Sequence, residues 1–143
     1  MGNRYCRWFR KFYSKQVEYI LALIKKSYKD TGLDVDKYLA VCEQLGEEPD
    51  PEKLPVERSI FPLEVQEAFQ LWDLLSDNWD GMNGYYLGKD YSALHTYIKM
   101  LQVTQPVISV YFLKHIDHYH SENVNSKLKQ KRDAEERKAK MKR

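Results

Sequence analysis

Phe61-Pro-Leu-Glu-Val-Gln-Glu-Ala-Phe-Gln-Leu-Trp-Asp-Leu-Leu75 places Val65, Ala68, Phe69, Trp72 and Leu75 at the spacing that lines one face of an α-helix. Pro62 stands at the start of this run, where a missing N–H is least harmful. The same periodicity continues upstream. Val17, Ile20, Leu21, Ile24 and Tyr28 share a face of a helix from Ser14 to Tyr28, with Ser14 as N-cap and Gly32 as stop. A second helix runs from about Asp34 to Leu45, with Val35, Tyr38, Leu39 and Cys42 inward and Gly46 at its end. Downstream, Asp90 is placed to cap a short helix carrying Tyr91, Leu94, Tyr97, Ile98 and Leu101, and Pro106 opens a last one. The first turns of that last helix, Val107 to Leu113, are apolar and rich in β-branched and aromatic residues. With no second strand to pair with, they read as a buried helix. The predicted fold class is therefore all-α: a single small helical domain of about five helices, with a Pro-rich linker and a charged C-terminal helix.

Two stretches interrupt the pattern. Gly46-Glu-Glu-Pro-Asp-Pro-Glu-Lys-Leu-Pro55 holds three prolines, which remove donors and disfavour helix before each ring. Ser76 to Asp90 holds three glycines and two asparagines among aromatic residues, and reads as an ordered loop whose rings pack on the third and fourth helices. The resulting divisions are a basic-aromatic N-terminal helical hairpin (1–45), a linker (46–61), a helical core (62–126) and a basic C-terminal tail (127–143) expected to fray.

The 143 residues, 43% apolar and 31% charged, suit one core with an aqueous surface. The longest uncharged run, Met100 to Leu113, is 14 residues, and a spanning helix needs about 20, so no membrane partner is expected. The N-terminus interleaves charge with rings and does not read as a leader. Cys6 and Cys42 form no pattern and read as two reduced thiols of a cytoplasmic protein. Charge is distributed unevenly. Residues 1–29 carry eight Lys/Arg against one acidic residue, residues 127–143 carry nine against three, and residues 30–126 carry six against seventeen. Basic ends flanking an acidic body point to an anionic partner, or to an acidic surface on this or another copy.

Motifs for chemistry fail on spacing. With Gly81 as the EF-hand glycine, the first and last ligands would be Ser76 and Leu87, which offer calcium no carboxylate. Gly84 to Lys89 has the wrong glycine spacing for a phosphate loop and lacks the hydroxyl for magnesium. His115, His118 and Glu122 share a helix face, with Asp117 and His120 nearby, but zinc would need further ligands from another helix. They read as a polar helix edge. No nucleophile stands beside a base on a recognisable turn. The expectation is a protein that is not an enzyme, with no catalytic residue, metal, cofactor or small-molecule substrate.

Binding residues are easier to nominate. Arg4, Arg7, Arg10 and Lys11 align on one side of a helix and interleave with rings, Trp8 among them. Lys129, Lys131 and Arg132 supply cations at the other end. Cations beside rings can neutralise phosphates and stack on bases, or meet an acidic protein. A helix-turn-helix over 14–45 is rejected because its second helix is net acidic. In the central loop, Trp79, Tyr85, Tyr86 and Lys89 are the candidate residues for docking a partner.

Three segments, Leu45-Gly-Glu-Glu-Pro-Asp-Pro-Glu-Lys-Leu-Pro55, Phe61-Pro-Leu-Glu-Val-Gln-Glu-Ala68 and Trp79-Asp-Gly-Met-Asn-Gly-Tyr-Tyr-Leu-Gly-Lys-Asp-Tyr91, together resemble small uncharacterised proteins of tailed bacteriophages. The resemblance implies a setting, the bacterial host cytoplasm or the phage particle, and no activity. The expected function is that of a non-enzymatic accessory protein: an adaptor or assembly factor that binds a protein partner or itself, in particle assembly or host takeover. The alternative is a nucleic-acid-binding accessory protein using the basic N- and C-terminal segments.

Overall fold

Local helical periodicity becomes helix wherever an apolar face finds something to cover it. The computed structural model describes residues 14–28 and 34–141, and the chain divides into two compact units, Met1–Ile60 and Phe61–Arg143. The basic-aromatic stretch with Arg4, Arg7, Trp8, Arg10 and Lys11 lies outside the described residues.

In the first unit, α1 spans Ser14–Ser27 and α2 spans Val35–Leu45. Asp34 caps α2 by accepting the Lys37 N–H. Gly46, at φ 66°, closes it in the left-handed conformation that glycine adopts at little cost. Ile24 and Cys42 are buried, whereas Leu39 is exposed although periodicity had placed it inward. The proline-rich stretch is pinned at one point: the Tyr38 hydroxyl accepts the Asp50 N–H at 3.0 Å. A 3-10 turn, Arg58–Ile60, ends the unit.

The second unit is built on α3 (Leu63–Leu74) and α5 (Pro106–Met141), with the short α4 (Leu94–Met100) between them. Phe61, Val65, Ala68, Phe69, Leu71 and Leu75 are buried on the α3 side, and Phe112, Leu113 and Ile116 on the α5 side. Phe61, placed in the linker by sequence, thus belongs to this core. The turn into α5 is tied down by the Glu67 carboxylate, which accepts from the Thr104 N–H and hydroxyl and from the Ser109 hydroxyl at 3.1–3.4 Å. Pro106 opens α5 as expected. The helix then runs without a break to Met141, because Lys, Glu, Gln, Ala and Arg fill its last turns and Asp133/Arg137 and Glu136/Lys140 stand at the favourable i, i+4 spacing.

The all-α expectation needs one correction. Where a loop was expected, β1 (Asp77–Trp79) and β2 (Tyr86–Lys89) pair as an antiparallel hairpin. Asp77 faces Lys89, Asn78 faces Gly88 and Trp79 faces Tyr86, which leaves Leu87 as the extra residue of a bulge. Helix α4 also begins later than Asp90. That carboxylate accepts the Ser92 N–H at 2.9 Å, making a turn ahead of the helix, and Tyr91 is drawn elsewhere.

Candidate functional site: a helix-braced hairpin

The hairpin turn is closed by Asp80. Its carboxylate accepts from the Met82 N–H and the Asn83 amide, at 3.0 and 2.8 Å, and its own N–H donates to the Tyr85 carbonyl at 2.8 Å. Those donors, the Asn83 side chain first, hold its carboxyl below the ordinary range. Gly84 supplies the positive φ, 63°, that completes the turn.

A two-stranded sheet is marginal in water, and here α5 does the work of a third strand with its side chains. Asn125 accepts the Tyr86 N–H and donates to the Tyr86 carbonyl, both at 2.9 Å, so its amide imitates a neighbouring strand. Two turns earlier the buried Asp117 carboxylate accepts the Lys89 N–H at 3.1 Å and the Tyr91 hydroxyl at 2.8 Å, with Trp72 Nε1 at 3.4 Å. Further along, Arg132 Nη2 donates to the Asn83 and Gly84 carbonyls at 2.7 and 3.3 Å, and its guanidinium lies 4.9 Å from the Tyr85 ring centroid. Gly88 faces Asp117 so closely that no side chain fits between them: a Cβ there would stand 2.7 Å from Asp117 Oδ2.

On the other side, Lys89 is folded inward. Its side chain is 7% exposed, its Nζ lies 2.8 Å from Asp77 Oδ1 and 3.0 Å from the Leu75 carbonyl, and it sits 4.2 Å from the Trp72 ring centroid. The Tyr86 hydroxyl donates to the same Asp77 oxygen at 2.9 Å. His120 meets the Trp72 and Tyr86 rings edge-on, at 4.6 and 5.3 Å between centroids. Among the described residues no buried side-chain nitrogen or oxygen lacks a hydrogen-bond partner. These polar groups satisfy one another, and their common effect is to fix the hairpin backbone.

The four loop residues nominated from sequence therefore divide. Tyr86 and Lys89 face inward, while Trp79 (49% exposed) and Tyr85 (44%) remain open to solvent, joined by Met82 (95%) and Leu87 (60%). Where packing on the third and fourth helices was expected, the Tyr86 ring meets His120 of α5, Arg132 of α5 lies over the Tyr85 ring, and the Trp79 ring meets Tyr86 edge-on at 4.9 Å. Of the C-terminal cations, Lys129 and Lys131 are exposed and Arg132 holds the turn. Sequence reading missed Asn125 altogether and gave Asp117 no role. A carboxylate beside the apolar residues Phe112, Leu113 and Ile116 is a detectable signal, whereas Asn125 carries none. Along α5 the Tyr111 ring meets His115 edge-on, Tyr119 lies tilted beside His115, and His118 lies 3.5 Å from Glu122. Among the described residues no three His, Cys, Asp or Glu side chains converge as a metal site. No helix among them is long and apolar enough to cross a membrane. No protein-family model, curated protein or solved structure gives a match to this chain.

The titrating groups set the pH response. Burial lowers the His120 imidazole below its ordinary 6.5, with the nearby Asp77 carboxylate opposing, and burial together with His118 lowers His115. The unfolded chain binds these protons more readily, so stability falls as pH drops below about 6.5. Asp77 is held below 3.8, chiefly by its hydrogen bond from Lys89. Its contribution is present above that value and disappears only as pH falls further. Melting temperature measured between about pH 8 and pH 2 should therefore decline in two steps. His115→Gln/His120→Gln should flatten the upper step and leave the lower; an unchanged upper step refutes the assignment.

Proposed function

We propose that this chain is a non-enzymatic adaptor or assembly factor that docks a protein partner through the braced hairpin. The supporting observation is the hairpin itself. Its backbone is fixed by Asp117, Asn125 and Arg132, yet Trp79, Met82, Tyr85 and Leu87 are held outward. Exposed rings on rigid backbone lose little freedom on binding, which is why Trp and Tyr dominate interface hot spots. The setting proposed is that implied by the phage resemblance: the cytoplasm of an infected bacterium, or the particle.

The experiment is recovery of the partner from phage-infected cells with the tagged full chain, purification of that partner, and titration against Trp79→Ala/Met82→Ser. Loss of a hot-spot side chain weakens binding by about 30-fold or more, and that loss is expected here with helix content and the melting midpoint nearly unchanged. Equal affinity of variant and wild type would refute hairpin docking. Micromolar, salt-sensitive binding of DNA or RNA at physiological salt would replace it with the nucleic-acid function.

A further inference from the structure

Beyond residue 133 every described position of α5 is exposed, so the helix end projects with all sides in water. On it Lys131, Ala134 and Lys138 fall within about 60° of the helix circumference at 100° per residue. In the first unit, Asp36, Ala40 and Glu43 of α2 fall within a similar arc, and all six side chains are exposed. Laid antiparallel, the two stripes match layer by layer: Lys138 meets Asp36, Ala134 meets Ala40, and Lys131 meets Glu43. Each stripe spans seven residue steps, a rise of about 10.5 Å, so the layers stay in step. The alanines in the middle layer let the two backbones approach closely.

Neighbouring charges do not spoil the match. Lys37 is turned about 100° from Asp36 and is paired with Asp34 at 3.2 Å. On α5, Asp133 and Glu136 lie more than about 120° round from the lysines. Glu135 flanks the stripe on the side where the antiparallel partner presents Lys37 and Gln44, so no acidic group lies beside it, and Leu39 flanks the other side. An acidic stripe repels nucleic acid, so phosphate would answer only one of the two surfaces, whereas a second copy of this chain answers both.

We infer that the projecting end of α5 in one copy docks antiparallel on α2 of another, linking copies head to tail. This builds on the assembly reading but does not use the hairpin. Because each copy carries one donor end and one acceptor face, the contact propagates into short chains or closes into a ring. Exposed ion pairs are individually weak and screened by salt, so association is expected on the order of 100 µM at low ionic strength and to vanish at about 0.5 M salt.

Sedimentation velocity of the full chain, over a concentration series at both salt levels, provides the test. Lys131→Glu/Lys138→Glu should weaken association at least about 10-fold, and Asp36→Lys/Glu43→Lys should do the same. Each variant alone carries stripes of one sign, so mixing the two, or combining all four substitutions in one chain, should restore association. Circular dichroism confirms that helix content is retained, and Met82→Ser should leave association unchanged, which separates this contact from hairpin docking. A wild-type chain that stays monomeric throughout overturns the inference, as does association that charge reversal leaves intact or a mixture that fails to recover it. A change in compactness independent of concentration would place the pairing within one chain and overturn it equally. So would loss, in the Lys131→Glu/Lys138→Glu variant, of a nucleic-acid affinity that the wild type possesses.

Discussion

Alanine in place of Gly88 is expected to lower the unfolding free energy by about 3 kcal/mol and to release the hairpin from α5. Two effects add. Gly88 has a φ of 101°, outside the regions that residues with a Cβ adopt readily. The added carbon would also meet Asp117 Oδ2 at 2.7 Å, with Cγ and Oδ1 both at 3.3 Å. Asp117 cannot step aside, because the same carboxylate receives the Lys89 N–H and the Tyr91 hydroxyl. Chemical denaturation gives the magnitude. Amide exchange locates the damage, since the Tyr86 and Lys89 N–H groups, which donate to Asn125 and Asp117, should lose protection before the α3–α5 core does. A variant within about 0.5 kcal/mol of wild type, with both amides still protected, would show that the hairpin does not depend on this contact.

Asp117→Ala should be at least as damaging, by about 3–4 kcal/mol. It leaves a backbone N–H and a phenol without their acceptor in a part-buried setting, each such group costing about 1–3 kcal/mol. Asp117→Asn should lose roughly half as much, because its amide keeps one acceptor oxygen but turns an NH2 toward donors. The exposed His118–Glu122 pair is the useful contrast: at 3.5 Å and with both side chains more than half exposed, Glu122→Ala should stay within about 0.5 kcal/mol. A second readout comes from Tyr91, whose phenol is pushed above its ordinary range first by burial and then by its hydrogen bond to Asp117. Ultraviolet titration of the Asp117→Ala variant should show Tyr91 ionising at lower pH than in the wild type, yet still above a free tyrosine because burial persists. An unshifted Tyr91 would mean that the carboxylate is not its partner.

Helices were legible because helix is a local property. The stripe from Val65 to Leu75 is written in one stretch, and burying it requires only that some apolar surface be nearby. The Gly46 stop was legible for the same reason, since it acts on the backbone within a turn of itself, whereas Asp90, expected to cap α4, makes a turn ahead of it. Even so, periodicity could not weigh neighbours. Trp72 shares the α3 stripe, but its ring is only part-buried, with the Lys89 ammonium above it and His120 at its edge. Leu39 shares the α2 stripe and faces water.

The hairpin lay between these cases. Asp80-Gly81 and Asn83-Gly84 are turn signals and the flanking residues favour strands, but β1 is exposed throughout its three residues, and the alternation of β2 lasts only four, too short a pattern to announce pairing. What stabilises them comes from far along the chain: Asp117 lies 28 residues from Lys89, Asn125 39 from Tyr86, and Arg132 49 from Asn83. The amino-acid sequence by itself thus determined the existence and order of the helices, which depend on neighbours within about a turn, and the uneven distribution of charge, but not where α4 begins or how far α5 runs. Only the tertiary structure decided that Arg132, Tyr86 and Lys89 would be held internally while Trp79, Met82 and Leu87 faced water. Hydrogen bonds to exposed backbone edges are made by whichever side chain the packing of α5 on α3 brings within about 3 Å, and no local spacing records that distance.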